Sequence, residues 1–275
     1  MNKLECVAVD LDGSLLSKKN QIHPQDLATI RRLKEKGVLV FANTGRHFSF
    51  ARPVVDQIGF DLPAICSNGA HIYDYRTGET LMEEPMPPAL AADLQKYLTQ
   101  AGIDHIIYTG QVIYYKNSDN PRIHYWRRET EHLAPENRIA LKAIEEDFDI
   151  TGHQIHKIMF LEDDREVVQK LKNEFEQGDS VSFTSSYRGL YDINLAKTSK
   201  GNGLSWLARK YGFDLKNTLA LGDEHNDIPV LSVVGYPVVP QNGEDAVKAA
   251  ARFVTSHCDE ASLTDAIRHF FPELL

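Results

Sequence analysis

The sequence predicts an α/β fold in which a parallel sheet is interrupted by an inserted α+β module. Three observations carry this. Short, valine-rich apolar runs alternate with amphipathic stretches as far as Ser67. The alternation breaks down between about residues 84 and 188. It returns after Gly189, with further apolar runs each followed by a helical pattern.

The elements follow in order. Leu4 to Val9 reads as a buried strand, because parallel strands are covered on both faces and so lose the polar alternation of an exposed sheet. Pro24 opens a helix with Leu27, Ile30 and Leu33 inward, and Gly37 closes it. Val38 to Ala42 is a second buried strand, Phe50 to Ile58 a helix, and Ala64 to Ser67 a third strand. That order argues for a parallel sheet with right-handed crossovers. His71 to Tyr75 and Glu79 to Met82 flank a turn and predict a hairpin, after which Pro85, Pro87 and Pro88 mark a boundary.

The inserted module reads as a helix (Ala89 to Ala101), β-like runs at Ile106–Tyr108 and Val112–Lys116, and a polar, poorly periodic stretch over 117–152. A strand from Lys157 to Leu161, a helix through Phe175 ended by Gly178, and a strand from Ser180 to Thr184 complete it. Leu190 to Leu195 is strand-like and is read with the returning α/β segment. Next come a helix through Leu204 and Tyr211 capped by Gly212, and a buried strand Thr218 to Leu221. Pro237 to Val239, a helix Ala246 to Ala251, Phe253 to Thr255 and a helix Leu263 to Phe271 close the chain. The expected division is therefore 1–83 with 189–275 as one discontinuous domain and 84–188 as the other.

Composition excludes several classes. At 42% hydrophobic and 9% aromatic, the 275-residue chain has the apolar content that disordered chains lack. No apolar run approaches the roughly 20 residues that span a bilayer. A net charge of -9, from 30 basic and 39 acidic residues, disfavours nucleic acid, whose phosphates demand a basic surface. A phosphorylated small molecule is not barred, provided that a cation accompanies it. Cys6, Cys66 and Cys258 form no metal-binding pair, and residues 1–5 lack the pattern of a secretion signal, so a cytoplasmic protein is expected.

Four polar clusters stand at strand ends or helix starts, where open α/β sheets bind ligands. Asp10-Leu11-Asp12-Gly13-Ser14 is either a paired-carboxylate site or an Asp/Gly turn. Asn43-Thr44-Gly45-Arg46 offers a hydroxyl and backbone N–H groups to a phosphate, or Thr44 as a helix N-cap. Lys200-Gly201-Asn202-Gly203 precedes the helix at Leu204 and supplies a point charge, unless Lys200 is a surface residue. Gly222-Asp223-Glu224-His225-Asn226-Asp227 crowds oxygen donors of the kind Mg²⁺ prefers, unless Asp223 only caps a helix. The topology would bring all four to one sheet edge.

Together these clusters resemble the signature motifs of the haloacid dehalogenase-like (HAD) hydrolases, in particular the Cof-like, sugar-phosphatase-type branch. Ser67-Asn68-Gly69-Ala70 before the hairpin is similar to that branch as well. The resemblance implies a Rossmann-like core with a large α/β cap inserted between the second and third motifs, and a Mg²⁺-dependent phosphatase of small phosphate monoesters. Sugar phosphates or related metabolites are the expected substrates. Asp10 would attack phosphorus and carry an aspartyl-phosphate. Asp12 would protonate the leaving oxygen and then deprotonate water, which requires a raised pKa. Asp10, Asp223 and the backbone carbonyl of Asp12 would hold Mg²⁺. Leu11, Thr44, Gly45, Lys200 and Asn226 would bind the phosphoryl group, with Asp227 behind the metal waters and Lys200.

Ser14 stands where the family usually has Thr, His225 is untypical of its loop, and Val239-Pro240-Gln241-Asn242 replaces a small-residue stretch. The second carboxylate, Asp12, separates this chain from true dehalogenases, which release no alkoxide. A non-catalytic regulator on the same fold is the rival class, and retention of both Asp10 and Asp12 argues against it. Substrate selection is expected from Arg46, Arg188 and His225, with Tyr187 and the stretch His124-Tyr125-Trp126-Arg127-Arg128 as cap candidates. His153 and His156 are read as core or surface residues rather than ligands. No nucleic-acid or membrane partner is expected, and a monomer or small homo-oligomer is.

Overall fold

The structure, a computed structural model, describes residues 3–59, 62–131, 133, 138–176, 180–187 and 189–275, with the side chains of 186 and 187 excepted. Arg188 and Gly178 therefore lie outside the described residues. In chain order, β1 (Cys6–Val9), α1 (Pro24–Glu35), β2 (Leu39–Ala42), α2 (Phe48–Ile58) and β3 (Ala64–Cys66) lead to the hairpin of β4 (His71–Asp74) and β5 (Glu79–Glu83). Then come α3 (Pro88–Gln100), β6 (Asp104–Thr109), β7 (Ile113–Tyr115), α4 (Pro121–Thr130), β8 (Leu141–Ala143), β9 (Ile155–Leu161), α5 (Arg165–Phe175), β10 (Val181–Tyr187) and β11 (Leu190–Leu195). The chain closes with α6 (Lys200–Tyr211), β12 (Thr218–Leu221), α7 (Ile228–Leu231), β13 (Tyr236–Pro240), α8 (Asp245–Lys248), β14 (Phe253–Thr255) and α9 (Ser262–Phe270).

A five-stranded parallel sheet runs in the order β14-β13-β12-β1-β2. Successive strand residues face different clusters. Val7, Val9, Val40, Ala42, Leu219 and Leu221 pack on one face, with Cys6, Ala8, Phe41 and Ala220 on the other. Both faces are covered, so the strands have no polar side to show. The register sets Val9 beside both Ala42 and Leu221, so Asp10, Asn43 and Gly222 all emerge at one edge.

The third strand departs from the expected parallel arrangement. It touches β2 through the single parallel bridge Asn43–Ile65 and otherwise pairs antiparallel with β4, in a three-stranded sheet β3-β4-β5.

A second large sheet has six strands in the order β10-β11-β9-β6-β7-β8, antiparallel except for β7 with β8. β11, which the sequence groups with the returning α/β segment, pairs with β9 and β10 in this sheet. Its Leu190, Ile193 and Leu195 suit burial in either sheet, so composition does not decide the partner. The stretch 117–152 also holds more order than its periodicity suggests. Asn120 caps α4 through its side chain and Pro121 occupies the first turn, but only Ile123, Trp126 and Thr130 are buried along the helix. Phe50 of α2 packs into the apolar cluster of this module with Tyr108, Trp126 and Met159, which ties the two large sheets together.

Candidate active site

Asp10 follows β1 directly and is buried. Its Oδ1 accepts a hydrogen bond of 2.7 Å from Lys200 Nζ, which donates a second of 2.7 Å to Asp227 Oδ1. Lys200 lies within the first turn of α6, not ahead of it, because Ser199 caps the helix by accepting from the Asn202 N–H. The two glycines that blurred this start are there for proximity. A Cβ on Gly201 would sit 2.4 Å from the Pro229 carbonyl oxygen, and one on Gly203 2.7 Å from Ile65 Cγ2. Small residues let α6 close in, so that Lys200 reaches under the sheet edge with only 1% of its side chain exposed.

Asp227 is committed to structure. Oδ1 takes Lys200, and Oδ2 accepts from the backbone N–H groups of Asp223 and Glu224 at 3.1 and 3.2 Å. Asp223 accepts at Oδ1 from the Ser14 hydroxyl at 2.8 Å. Burial, aided by Asp227, pushes the Asp223 carboxyl up to about 8. Burial pushes Asp10 well up too. Lys200 opposes that shift, and the carboxylates of Asp227, Asp223 and Asp12 reinforce it. Glu224 is raised to about 8 by burial and by Asp10.

Carboxylate oxygens of Asp10, Asp223 and Asp227 lie within 4.8 Å of one another. Asp10 Oδ2 and Asp223 Oδ2 take no hydrogen bond from the described residues, whereas both oxygens of Asp227 are occupied. Buried, like-charged, hard oxygen donors with unused lone pairs fit a divalent cation such as Mg²⁺. Asp10 and Asp223 are the fitting ligands, and Asp227 buttresses them.

The loop after β2 is built around Thr44. Its Oγ1 accepts from the Arg46 N–H at 3.1 Å, which leaves the hydroxyl proton for another acceptor. Thr44 is not the N-cap of α2. His47 is, accepting at Nδ1 from the Ser49 N–H. Asn226 Nδ2 donates to Asn68 Oδ1 at 3.1 Å, and Gly45 packs against that same oxygen, where a Cβ would fall 2.7 Å away.

Arg46 does not select substrate from a free position. It forks onto Asp12, Nε to Oδ2 at 2.7 Å and Nη2 to Oδ1 at 2.6 Å, while its guanidinium lies 4.4 Å over the Phe50 ring. Enclosure between the sheets pushes the Asp12 carboxyl up, but the Arg46 charge and hydrogen bonds outweigh that, and the net shift is down. The expectation of a raised pKa at Asp12 is thus overturned for the substrate-free protein. Asp12 still presents 63% of its side-chain surface to open space.

That space is a cavity of about 210 Å³ between the parallel and six-stranded sheets. Asp10, Asp12, Thr44, Gly45, Glu224 and Asn226 line it from one side, and Tyr108, Arg122, Tyr125, Trp126, Lys157 and Asp192 from the other. Tyr125 and Trp126 belong to the stretch the sequence singles out, but Arg127 turns to the Tyr115 hydroxyl and Arg128 to Glu129. His225 does not line the cavity. It is exposed, with Nδ1 2.9 Å from Glu244. His153 stacks on Phe148, and His156 is buried against Glu83 at 2.7 Å, so neither is offered to a metal there. Arg122, Lys157 and Asp192 were missed. For Lys157 and Asp192 the signal was present, as charged residues inside strands of mainly apolar residues. A wider groove adjoins the cavity through Arg122 and Tyr125 and carries none of the strand-end groups.

Residues 7–267 match the family described as haloacid dehalogenase-like hydrolase. The chain is 30% identical over 269 residues to the pyridoxal phosphate phosphatase of Escherichia coli, covering 96% of each. It is 27% identical to a 5-amino-6-(5-phospho-D-ribitylamino)uracil phosphatase of Bacillus subtilis, covering 99% of this chain and 98% of that one. A solved haloacid dehalogenase-like hydrolase from B. subtilis superposes with a TM-score of 0.85 at 22% identity, over 98% of this chain and all of the other.

Proposed function

Because this chain belongs to the haloacid dehalogenase-like hydrolases and is a phosphatase, we propose that it hydrolyses small phosphate monoesters through an aspartyl-phosphate on Asp10. The observation that carries this is Lys200, buried and bridging Asp10 and Asp227 beneath the cavity that Asp12, Thr44, Gly45 and Asn226 line. Phosphate monoester hydrolysis is extremely slow uncatalysed, so the site must combine positioning, charge neutralisation and proton transfer.

One carboxylate oxygen of Asp10 attacks phosphorus while the ester P–O bond breaks, and Asp12 gives its proton to the leaving oxygen. Water then attacks the same phosphorus, Asp12 takes the water's proton, and the bond to Asp10 breaks. The Thr44 hydroxyl, the Leu11 and Gly45 N–H groups, Asn226 and Lys200 hold the phosphoryl oxygens. Mg²⁺, held by Asp10, Asp223 and the Asp12 carbonyl, would screen the dianion from these carboxylates. Asp227 keeps Lys200 and the Asp223 loop in place.

The six-stranded sheet is read as a cap inserted into the parallel core, with seams near 84–87 and 196–199. The tight cavity favours a small leaving group, and the adjoining groove leaves room for its far end. Sugar phosphates and pyridoxal phosphate, the substrate in one relative's name, are the first candidates. Buried, unpaired cysteines suit a reducing cytoplasm. The test is release of phosphate from an aryl phosphate, pyridoxal phosphate and a sugar phosphate panel, with and without Mg²⁺. Mg²⁺-dependent turnover that Asp10→Asn abolishes is expected. No turnover on any ester above that variant would overturn the reading.

A further inference from the structure

Lys157 stands in the middle of β9, a cap strand of otherwise mainly apolar residues, with 2% of its side chain exposed. A buried ammonium is tolerated only where its donors are met. Here Nζ donates to Asp192 Oδ2 on β11 at 2.9 Å and, across the seam, to the Gly45 carbonyl oxygen at 2.9 Å. The Tyr108 ring, 4.5 Å away, closes over it.

The Gly45 carbonyl belongs to the same planar peptide as the Arg46 N–H, which donates to Thr44 Oγ1. Pinning the oxygen at one end of that plane therefore aims the N–H at the other, and so fixes which way the Thr44 proton can point. A second arm leaves from Asp192. Its Oδ2 also accepts from Asn68 Nδ2 at 3.0 Å, and Asn68 Oδ1 in turn holds Asn226 Nδ2. Ser67 and Asn68 both have left-handed backbone, at φ 50 and 58, conformations that persist only where their surroundings hold them.

We propose that the Lys157–Asp192 pair, though carried by the cap, is a positioning device for the phosphoryl-binding groups rather than a reader of the leaving group. One arm sets Thr44 and Gly45, and the other sets Asn226. The inference rests on those three residues forming the phosphoryl site. It has a consequence that a specificity residue would not have. Loss of the pair weakens the phosphoryl end, so every ester suffers by the same factor, whatever its leaving group.

The test uses the full chain with Mg²⁺ and two variants, Lys157→Met and the double Lys157→Met/Asp192→Asn. The double variant removes both charges, so no uncompensated ion is left in the core. Turnover is measured on an aryl phosphate, a sugar phosphate and pyridoxal phosphate. Inorganic phosphate binding is followed by calorimetry and Tm by scanning. Misplaced phosphoryl contacts are expected to lower kcat/KM by ~10- to 100-fold on all active esters. The ratios between esters are preserved, phosphate affinity falls, and the double variant keeps its cooperative melt. Unchanged phosphate affinity, or a loss confined to one leaving group, overturns the proposal. If the unmutated chain turns over no ester, the phosphatase mechanism fails, and phosphate affinity alone then decides for or against the pair.

Discussion

At Asp12 two forces oppose each other. Its enclosure disfavours a charge, and the Arg46 fork favours one and prevails. A bidentate guanidinium–carboxylate pair is among the stronger hydrogen-bonded contacts, and the Phe50 ring under the guanidinium keeps it flat against the site. In the proposed mechanism, the substrate-free protein thus presents Asp12 as the base needed for the second half-reaction. The first half needs the acid, and an arriving phosphoryl dianion supplies the negative charge that offsets Arg46. Removing Arg46 takes away the dominant opposing charge and leaves the burial that disfavours ionisation, so Arg46→Met is expected to raise the Asp12 pKa. Asp12 then stays protonated to higher pH. The alkaline limb of kcat/KM moves upward on an alkyl phosphate, whose leaving oxygen needs a proton. It moves little on an aryl phosphate, whose leaving group does not. A pH profile on both substrates checks this, and unmoved limbs would show that Asp12 is not the titrating acid.

Helix α6 shows the same dependence on close approach one level up. Gly→Ala inside a helix ordinarily gains about 1 kcal/mol. At Gly201 the added methyl meets a backbone carbonyl 2.4 Å away, which cannot rotate aside. Overpacking of this kind costs ~1–3 kcal/mol, so Gly201→Ala is expected to be net destabilising in urea melts and to reduce turnover by moving Lys200. A stabilised, fully active variant would refute this. The glycines also mark the limit of what was legible. A helical period and the motif lysine can be read from residues 200–211, but packing against Pro229 and Ile65 is a long-range fact, so the helix start at Lys200 was placed too late. The strand-end clusters were legible because parallel strands in register deliver their next residues to one edge. Asp10, Asp223 and Lys200 meet there as expected. The pairing of Arg46 with Asp12 and of His225 with Glu244 was not legible, because those partners lie 34 and 19 residues away in the sequence. α4 and the sheet membership of β11 escaped for a related reason: weak amphipathicity in the first, and a pairing that local composition does not encode in the second.

Across the whole molecule, charge and burial set how folding answers to solution conditions. Asp10 and Asp223 are held with raised pKa values among like charges, so a divalent cation that binds only the folded site stabilises it by linkage, about 2.7 kcal/mol at a hundredfold excess over Kd. Mg²⁺ is expected to raise Tm, EDTA to reverse the rise, and Asp223→Asn to abolish it without any assay of activity. The histidines packed against the six-stranded sheet act in acid. His47 accepts from the Ser49 N–H at Nδ1, while Nε2 lies 2.9 Å from the Thr109 carbonyl at the end of β6, so a neutral ring with the proton on Nε2 satisfies both. The His71 ring lies 4.7 Å from that of His156 on β9, tilted by 36°. Burial lowers His47 to about 3, with His71 and His156 adding to the effect, and burial lowers His71 to about 3, with His156 adding. A depressed histidine pKa means that the unfolded chain binds the proton first. Stability is therefore intact above about pH 6.5 and is lost as pH falls from there toward the folded value of about 3. The loss is about 1.4 kcal/mol per pH unit for each ring, or roughly 2 kcal/mol per histidine between pH 6.5 and 5. Denaturant titrations at those two pH values should show this dependence, and His71→Phe should remove one histidine's share of it while leaving stability at neutral pH less affected. If the variant keeps the full acid dependence of the parent, these histidines do not govern it.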